Sequence, residues 1–217
     1  MCRALGVGAM FLLLPLFAAA QQPLQSGFWK GRLQIHQFNF SFGTRTQGKK
    51  TDVQRGVDIW KYEYELYQNA NGIAREELKS LNRNRSVELP LDIRIMNYGR
   101  GTGFVFDRGG KEAITGPFVP VAGRALGSRR ILGFECEGKE YEWTTFQHAA
   151  VRLQTWTARN SSFKVPLLQV EYFNDDTGAL LALTIQMVSE LEAVPDLPPS
   201  LFQIPQDLHV VKVPTVR

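Results

Sequence analysis

The sequence has few reactive or metal-binding side chains. Its 217 residues hold two cysteines and three histidines. Cys2 lies at the very start, before an apolar run, and Cys136 stands alone in the remainder, so no internal disulfide can form. His36, His148 and His209 are far apart, without the H-x-x-x-H spacing of a local zinc site. Beyond the N-terminus no apolar run approaches membrane-spanning length. No stretch shows a long 3.6-residue hydrophobic period with caps. Like charges are not massed either: "AREELKSLNRNR" intersperses them, which speaks against a nucleic-acid-binding face.

The first twenty residues read as a cleaved secretory signal. Arg3 gives the positive start, "ALGVGAMFLLLPLF" the apolar run, and Ala18–Ala20 the small residues a signal peptidase reads. A cut after Ala20 leaves 197 residues, with 24 Lys and Arg against 21 Asp and Glu, as a single β-rich domain over 21–217. The expected location is periplasmic or secreted, with no membrane-spanning segment after cleavage. In a eukaryotic secretory setting Asn39, Asn84 and Asn160 would sit in glycosylation sequons.

The mature region reads as strand after strand. In "DIWKYEYELYQ" Trp60, Tyr62, Tyr64 and Leu66 alternate with Lys61, Glu63 and Glu65, the period of a half-buried strand. "NANG" supplies turn residues for a hairpin into "GIAREELKS". "LDIRIMNY" meets "TGFVFD" across a glycine-rich turn, and "VPLLQVEYFNDDTGALLALTIQMVSE" forms two apolar arms around "NDDTG". "RRILGFECEG" reads as a strand, with Gly133 as a bend within it and a turn signal at Gly138. A single helical turn is expected at "PPSLF". The tail from about 191 to 217, with prolines at 195, 198, 199, 205 and 214, reads as an extended wrap.

Several short motifs fall to their context. "GTRTQGKK" spells most of a phosphate-binding loop but lies between two strand-like runs and ends in Lys50, where magnesium needs Ser or Thr. "GRGTG" leads into a strand, not the helix a dinucleotide fold requires. "SSFK" has the S-x-x-K spacing of acylating serines, but Pro166 follows and the partner triplets are missing. Asp175 and Asp176 sit where a hairpin turn wants them rather than in a calcium loop. Cys136 lies between Glu135 and Glu137, whose charges disfavour the thiolate, so it reads as a buried structural residue. No catalytic motif, metal site or cofactor site survives.

Four stretches occur in a familiar order. Arg130, Ile131 and Gly133 open one element and Trp156 marks the next. Asp175 to Gly178 form a hairpin turn, and Leu201, Phe202 and Pro205 close the chain. With "YELYQNANGIAREEL" and "IRIMNYGRGTGFVFDRGGKEA" upstream, the chain resembles exported bacterial proteins of uncharacterised function related to the lipoprotein-carrier (LolA-like) half-barrel group. The resemblance implies a curved antiparallel sheet around an apolar cavity that can hold lipid chains. The chain departs from it in having no long helix to lid that cavity.

The expected fold is therefore mainly β: one strongly curved antiparallel sheet, half-barrel-like, with few short helices. The expected function is an exported soluble envelope protein, a non-catalytic binding module for a lipid or other apolar ligand, with a lipid or lipoprotein as partner. Trp60, Tyr62, Tyr64, Phe104, Phe106, Trp143, Tyr172, Ile185 and Met187 are the candidate lining residues, and a packed core is the competing reading for the same set. Two further readings stay open: a partner-binding envelope protein without a ligand cavity, and an exported hydrolase using carboxylates or Cys136.

Overall fold

The computed structural model describes residues 27–47, 50–83, 92–117, 122–145 and 149–212, with the side chains of 42–55, 82–83 and 117 left aside. The signal segment, His148, Asn84 and the last residues of the tail lie outside the described residues. Twelve strands form one sheet. They are β1 Phe28–Gln47, β2 Lys50–Gln68, β3 Ile73–Arg83, β4 Ile93–Asn97, β5 Thr102–Phe106 and β6 Glu112–Pro117. β7 Arg124–Ile131, β8 Phe134–Thr144, β9 Ala150–Ala158, β10 Leu168–Asn174, β11 Leu180–Val194 and β12 His209–Lys212 follow. Their order across the sheet is β12-β6-β5-β4-β3-β2-β1-β11-β10-β9-β8-β7. Every pair is antiparallel except β12 with β6, which is parallel. The expected single turn is a 3₁₀ turn at Pro199–Phe202.

The sheet is strongly curved and stays open. Register shifts at Arg32/Leu33, Glu63/Tyr64, Ala125/Gly127 and Phe173/Asn174 mark β-bulges, which raise local twist. The turns use their sequence chemistry. Asn69 Oδ1 accepts from the backbone N–H of Asn71 and Ile73 at 3.0 Å, fixing the β2–β3 hairpin. Asp175 Oδ1 accepts from the backbone N–H of Thr177 and Ala179, both at 2.9 Å, at the β10–β11 turn.

One turn is not where the sequence puts it. The β7–β8 reversal falls at Leu132 (φ 49°) and Gly133 (φ 81°), both left-handed as a two-residue hairpin turn demands. Gly138 instead lies mid-strand in β8, and a Cβ there would come within 2.7 Å of Trp156 Nε1. Its glycine is explained by the indole lying on the strand, not by a reversal. The Arg129 guanidinium lies over that indole at 4.1 Å.

Directly opposed residues in a sheet share a face, so the register sorts the side chains. Leu33, Ile35, Tyr62, Tyr64, Leu66 and Val188 fall on one face, called inner here. The segment 159–167 between β9 and β10 fills one end of that face with Phe163, Val165 and Leu167, all fully buried. Trp29 meets Phe163 edge-on at 5.6 Å and donates from Nε1 to Ser162 Oγ at 3.0 Å. Gln68, fully buried, donates to Ser162 O at 2.9 Å and accepts from Lys164 N at 2.6 Å, so its amide is satisfied by the filling segment. A second cluster, Ile93, Ile95, Phe106 and Ala113, lies on the outer face of β4–β6. Ile204 and Leu208 of the tail pack on it, and Arg75 Nη1 donates to Leu201 O at 2.9 Å.

Cys136 is fully buried, with Sγ 3.5 Å from Phe134 O, and burial pushes its thiol pKa up. Glu135 and Glu137 on either side are exposed and each takes an arginine, Arg130 and Arg159. Cys136→Ala is expected to lower stability by about 1–2 kcal/mol, read by chemical denaturation, and the native thiol to resist alkylation near neutral pH.

Candidate functional site

The inner face carries charge where a lipid cavity would be apolar. Leu66 opposes Glu76 and Glu76 opposes Arg94, so β3 and β4 send an acid and a base inward. Arg94 Nη2 lies 2.8 Å from Glu76 Oε2, and the guanidinium stacks over the Tyr64 ring at 4.4 Å. Tyr98 donates its hydroxyl to Glu76 Oε1, and Gln186 of β11 faces the same hydroxyl. β4 and β11 stand well apart in strand order, so this contact records how far the sheet curls. Burial, then the Glu76 charge, hold the Tyr98 phenol well above its usual pKa. Glu76 is fully buried, and removing its counter-charge leaves a carboxylate with no water and no cation. Arg94→Met is expected to cost about 3–5 kcal/mol in denaturant unfolding, and the double variant with Glu76→Leu to recover most of that loss.

A pocket of about 560 Å³ opens beside this network. Tyr98, Arg100 and the glycines of the β4–β5 turn form one wall. Lys139, Tyr141, Thr155 and Thr157 of β8 and β9 form the other, and Lys164 contributes from the filling segment. Two remote limbs of the sheet thus meet across the inner face, and the pocket is of ligand size. Its charge is one-sided. Glu137, its one carboxylate, is engaged by Arg159 through Nε at 2.8 Å and Nη2 at 2.5 Å. Among the described residues Lys164 Nζ donates only to the Ser161 carbonyl, at 2.9 Å. Arg100 and Lys139 have no carboxylate partner among the described residues. A second hollow of about 290 Å³ shares Glu137 and Lys139 with it.

The nine candidate lining residues divide between the two faces. Tyr62 and Tyr64 are inner and buried at 6% and 2% exposure, and Trp60 beside them is half-buried. Trp143 joins the inner face, opposite Val151 and two residues beyond Tyr141. Phe104 and Phe106 lie on the outer face under the tail. Tyr172, Ile185 and Met187 are also outer, through the pairs Leu183–Tyr172, His36–Ile185 and Gln34–Met187. Four of the nine thus share the inner face, three of them on β2 and Trp143 on β8, and five lie on the outer face. Sequence reasoning missed Glu76, Arg94, Arg100 and Lys139. The available signal was Glu76 standing in phase with Ala74 and Leu78.

Glu171 also faces inward, opposite Thr184 and Leu153, with no ion pair among the described residues, and burial raises its pKa. The unfolded chain holds this proton less tightly, so folding loses stability as pH rises from the ordinary carboxylate range through the raised value. Glu171→Gln is therefore expected to raise Tm near pH 7 and leave it unchanged near pH 4, read by thermal melts.

Ser161 Oγ accepts from Phe163 N at 3.0 Å, forming a turn ahead of Lys164. His36 and His209 sit on β1 and β12, far apart in strand order, and among the described residues no group of three His, Cys, Asp or Glu side chains is placed to hold a metal ion. Among the described residues no helix is long and apolar enough to cross a membrane.

No protein-family model and no curated protein matches the chain. Among solved structures it is similar to a conserved protein of Thermus thermophilus, with 17% identity and TM-score 0.41 over 87% of this chain and 92% of that one. It is also similar to the MucA/MucB complex of Pseudomonas aeruginosa, at 11% identity and TM-score 0.33 over 86% of this chain and 58% of that chain. A Vibrio parahaemolyticus domain named for outer membrane lipoprotein sorting gives 12% identity and TM-score 0.25 over 81% and 89%. Likeness at this level says nothing of function, which has to be read from the residues themselves.

Proposed function

We propose that this chain is an exported, non-catalytic binding module that takes an amphiphilic ligand, a lipid or a lipid-bearing partner, on the inner face of its sheet. The observation that carries this reading is the 560 Å³ pocket walled by opposite limbs of the sheet, with Arg100, Lys139 and Lys164 around it and, among the described residues, no free carboxylate to neutralise them. Its polarity assigns the pocket to a ligand's anionic head group. Trp143 and Trp60, half-buried on the same face, are the surface left for an apolar portion. Tyr62 and Tyr64 are too enclosed to touch a ligand directly and serve as packed core of that face. The catalytic reading gains nothing, because Cys136 is buried with a raised thiol pKa.

A fluorescent fatty-acid or phospholipid probe is expected to bind the purified protein at micromolar concentration, with affinity falling as salt rises. The pair Arg100→Glu and Lys139→Glu is expected to weaken binding at least about tenfold, while Trp60→Ala weakens it without changing its salt dependence. Both positions of the charge pair are exposed, so the fold should survive the change. Folded protein that binds no anionic amphiphile, or binds it equally well after charge reversal, would overturn the reading.

A further inference from the structure

The pocket between the two limbs of the sheet holds more positive charge than a singly charged head group uses. Three cations line it: Arg100 from the β4–β5 turn, Lys139 from β8 and Lys164 from the filling segment. Among the described residues Glu137 is the one carboxylate in its wall, and Arg159 already engages it. Behind Tyr98 the charges cancel in the same way, since Glu76 pairs with Arg94. Three positive charges are therefore left facing a space of about 560 Å³.

Hydrogen-bond donors are in surplus too. In register Lys139 opposes Thr155 and Glu137 opposes Thr157, so both threonines stand on the inner face beside the lysine. Thr155 lines the pocket and is only 6% exposed, and its hydroxyl has no hydrogen-bond partner among the described residues. A buried hydroxyl is costly unless something accepts from it. The hydroxyls of Thr157 and Tyr141, in the same wall, also lack a partner among the described residues. Lys164 Nζ gives one of its three N–H groups to Ser161 O and keeps two.

We infer that this pocket is a site for a phosphomonoester, a terminal phosphate on the ligand's head group. Charge and acceptor count decide between the anions. A carboxylate brings one negative charge and two oxygens. A phosphodiester brings the same, and a sulfate ester brings three oxygens but again one charge. A terminal phosphate carries roughly 1.5 to 2 negative charges near pH 7 and three strong acceptor oxygens. It alone matches three cations and three hydroxyls converging from separate elements. The Arg100 fork suits a pair of phosphate oxygens, and the two lysines act as point charges on the rest. The inference rests on the amphiphile reading only for the apolar chain joined to the phosphate.

Calorimetric titration with decyl phosphate, decyl sulfate, decanoate and inorganic phosphate is the test. Near pH 7.5 decyl phosphate is expected to bind at least about tenfold tighter than the other two chains. The second ionisation of a phosphomonoester lies at about pH 6, so its advantage over decyl sulfate is expected to shrink several-fold at about pH 5.5. Decyl sulfate keeps its charge across that range and reports any titration of the protein itself. Thr155→Val keeps the shape of the side chain, loses the hydroxyl and suits a buried strand position, and is expected to weaken decyl phosphate binding about tenfold with an unchanged circular dichroism spectrum. Decyl phosphate that binds no tighter than the other two chains, shows no such pH step, or is indifferent to Thr155→Val overturns the inference and leaves the amphiphile reading standing. Inorganic phosphate that binds as tightly as decyl phosphate upholds the phosphate site and overturns the amphiphile reading. Folded protein that binds none of the four overturns both.

Discussion

A sheet one layer thick has two faces and must find cover for both within one chain. Nearly every feature of this molecule answers that constraint. The inner face is closed by curvature, so that β2, β4 and β11 face one another, and by the segment 159–167, which packs Phe163, Val165 and Leu167 against Trp29 and Leu33. The outer face of β4–β6 is closed by the tail through Ile204 and Leu208. The remaining outer face has no cover among the described residues. Burial of large side chains, each contributing about 1.5–3 kcal/mol, therefore depends on how tightly the sheet curls.

The curl brings a charged group into the interior. Glu76 accepts from Tyr98 and pairs with Arg94 beneath Tyr64 and Gln186, while Arg94 Nε has no hydrogen-bond partner among the described residues. A buried ion pair is a poor source of stability, because its desolvation penalty offsets most of the attraction. It does fix geometry, since each partner is tolerable only where the other stands. Tyr98, held by Glu76, lies near Gln186 of β11 and also lines the mouth where Arg100 and Lys139 stand. The electrostatics of the candidate site and the shape of the fold thus meet at one cluster.

Much of this architecture is legible in the sequence. Alternation in "WKYEYEL" marks β2, Asn69 and Asp175 mark their hairpins, and the acidic neighbours of Cys136 are exposed to solvent as their spacing implies. The candidate site is much less legible, for a specific reason. A period of two says which residues of one strand share a face, but not which face that is relative to the next strand. Phe104 and Phe106 alternate as cleanly as Tyr62 and Tyr64, yet point the opposite way. Bulges add to the difficulty, because each shifts the phase by one residue. Gly138 misleads for another reason: glycine marks a close approach of Trp156 there as readily as it marks a turn elsewhere.

The parallel pairing of β12 with β6 has a kinetic consequence. His209 pairs with Glu112, and its backbone N–H reaches Lys111 O at 2.8 Å, so the sheet margin is sealed by residues far along the chain from those they seal. Such a contact carries a large loop-closure cost and forms late. Until it forms, β6 presents an open row of backbone donors and acceptors to any neighbouring strand. Synthesis runs from the N-terminus, so the ribosome releases the protective strand well after the edge it protects, and the interval before docking is when a nascent molecule is most exposed to pairing with another.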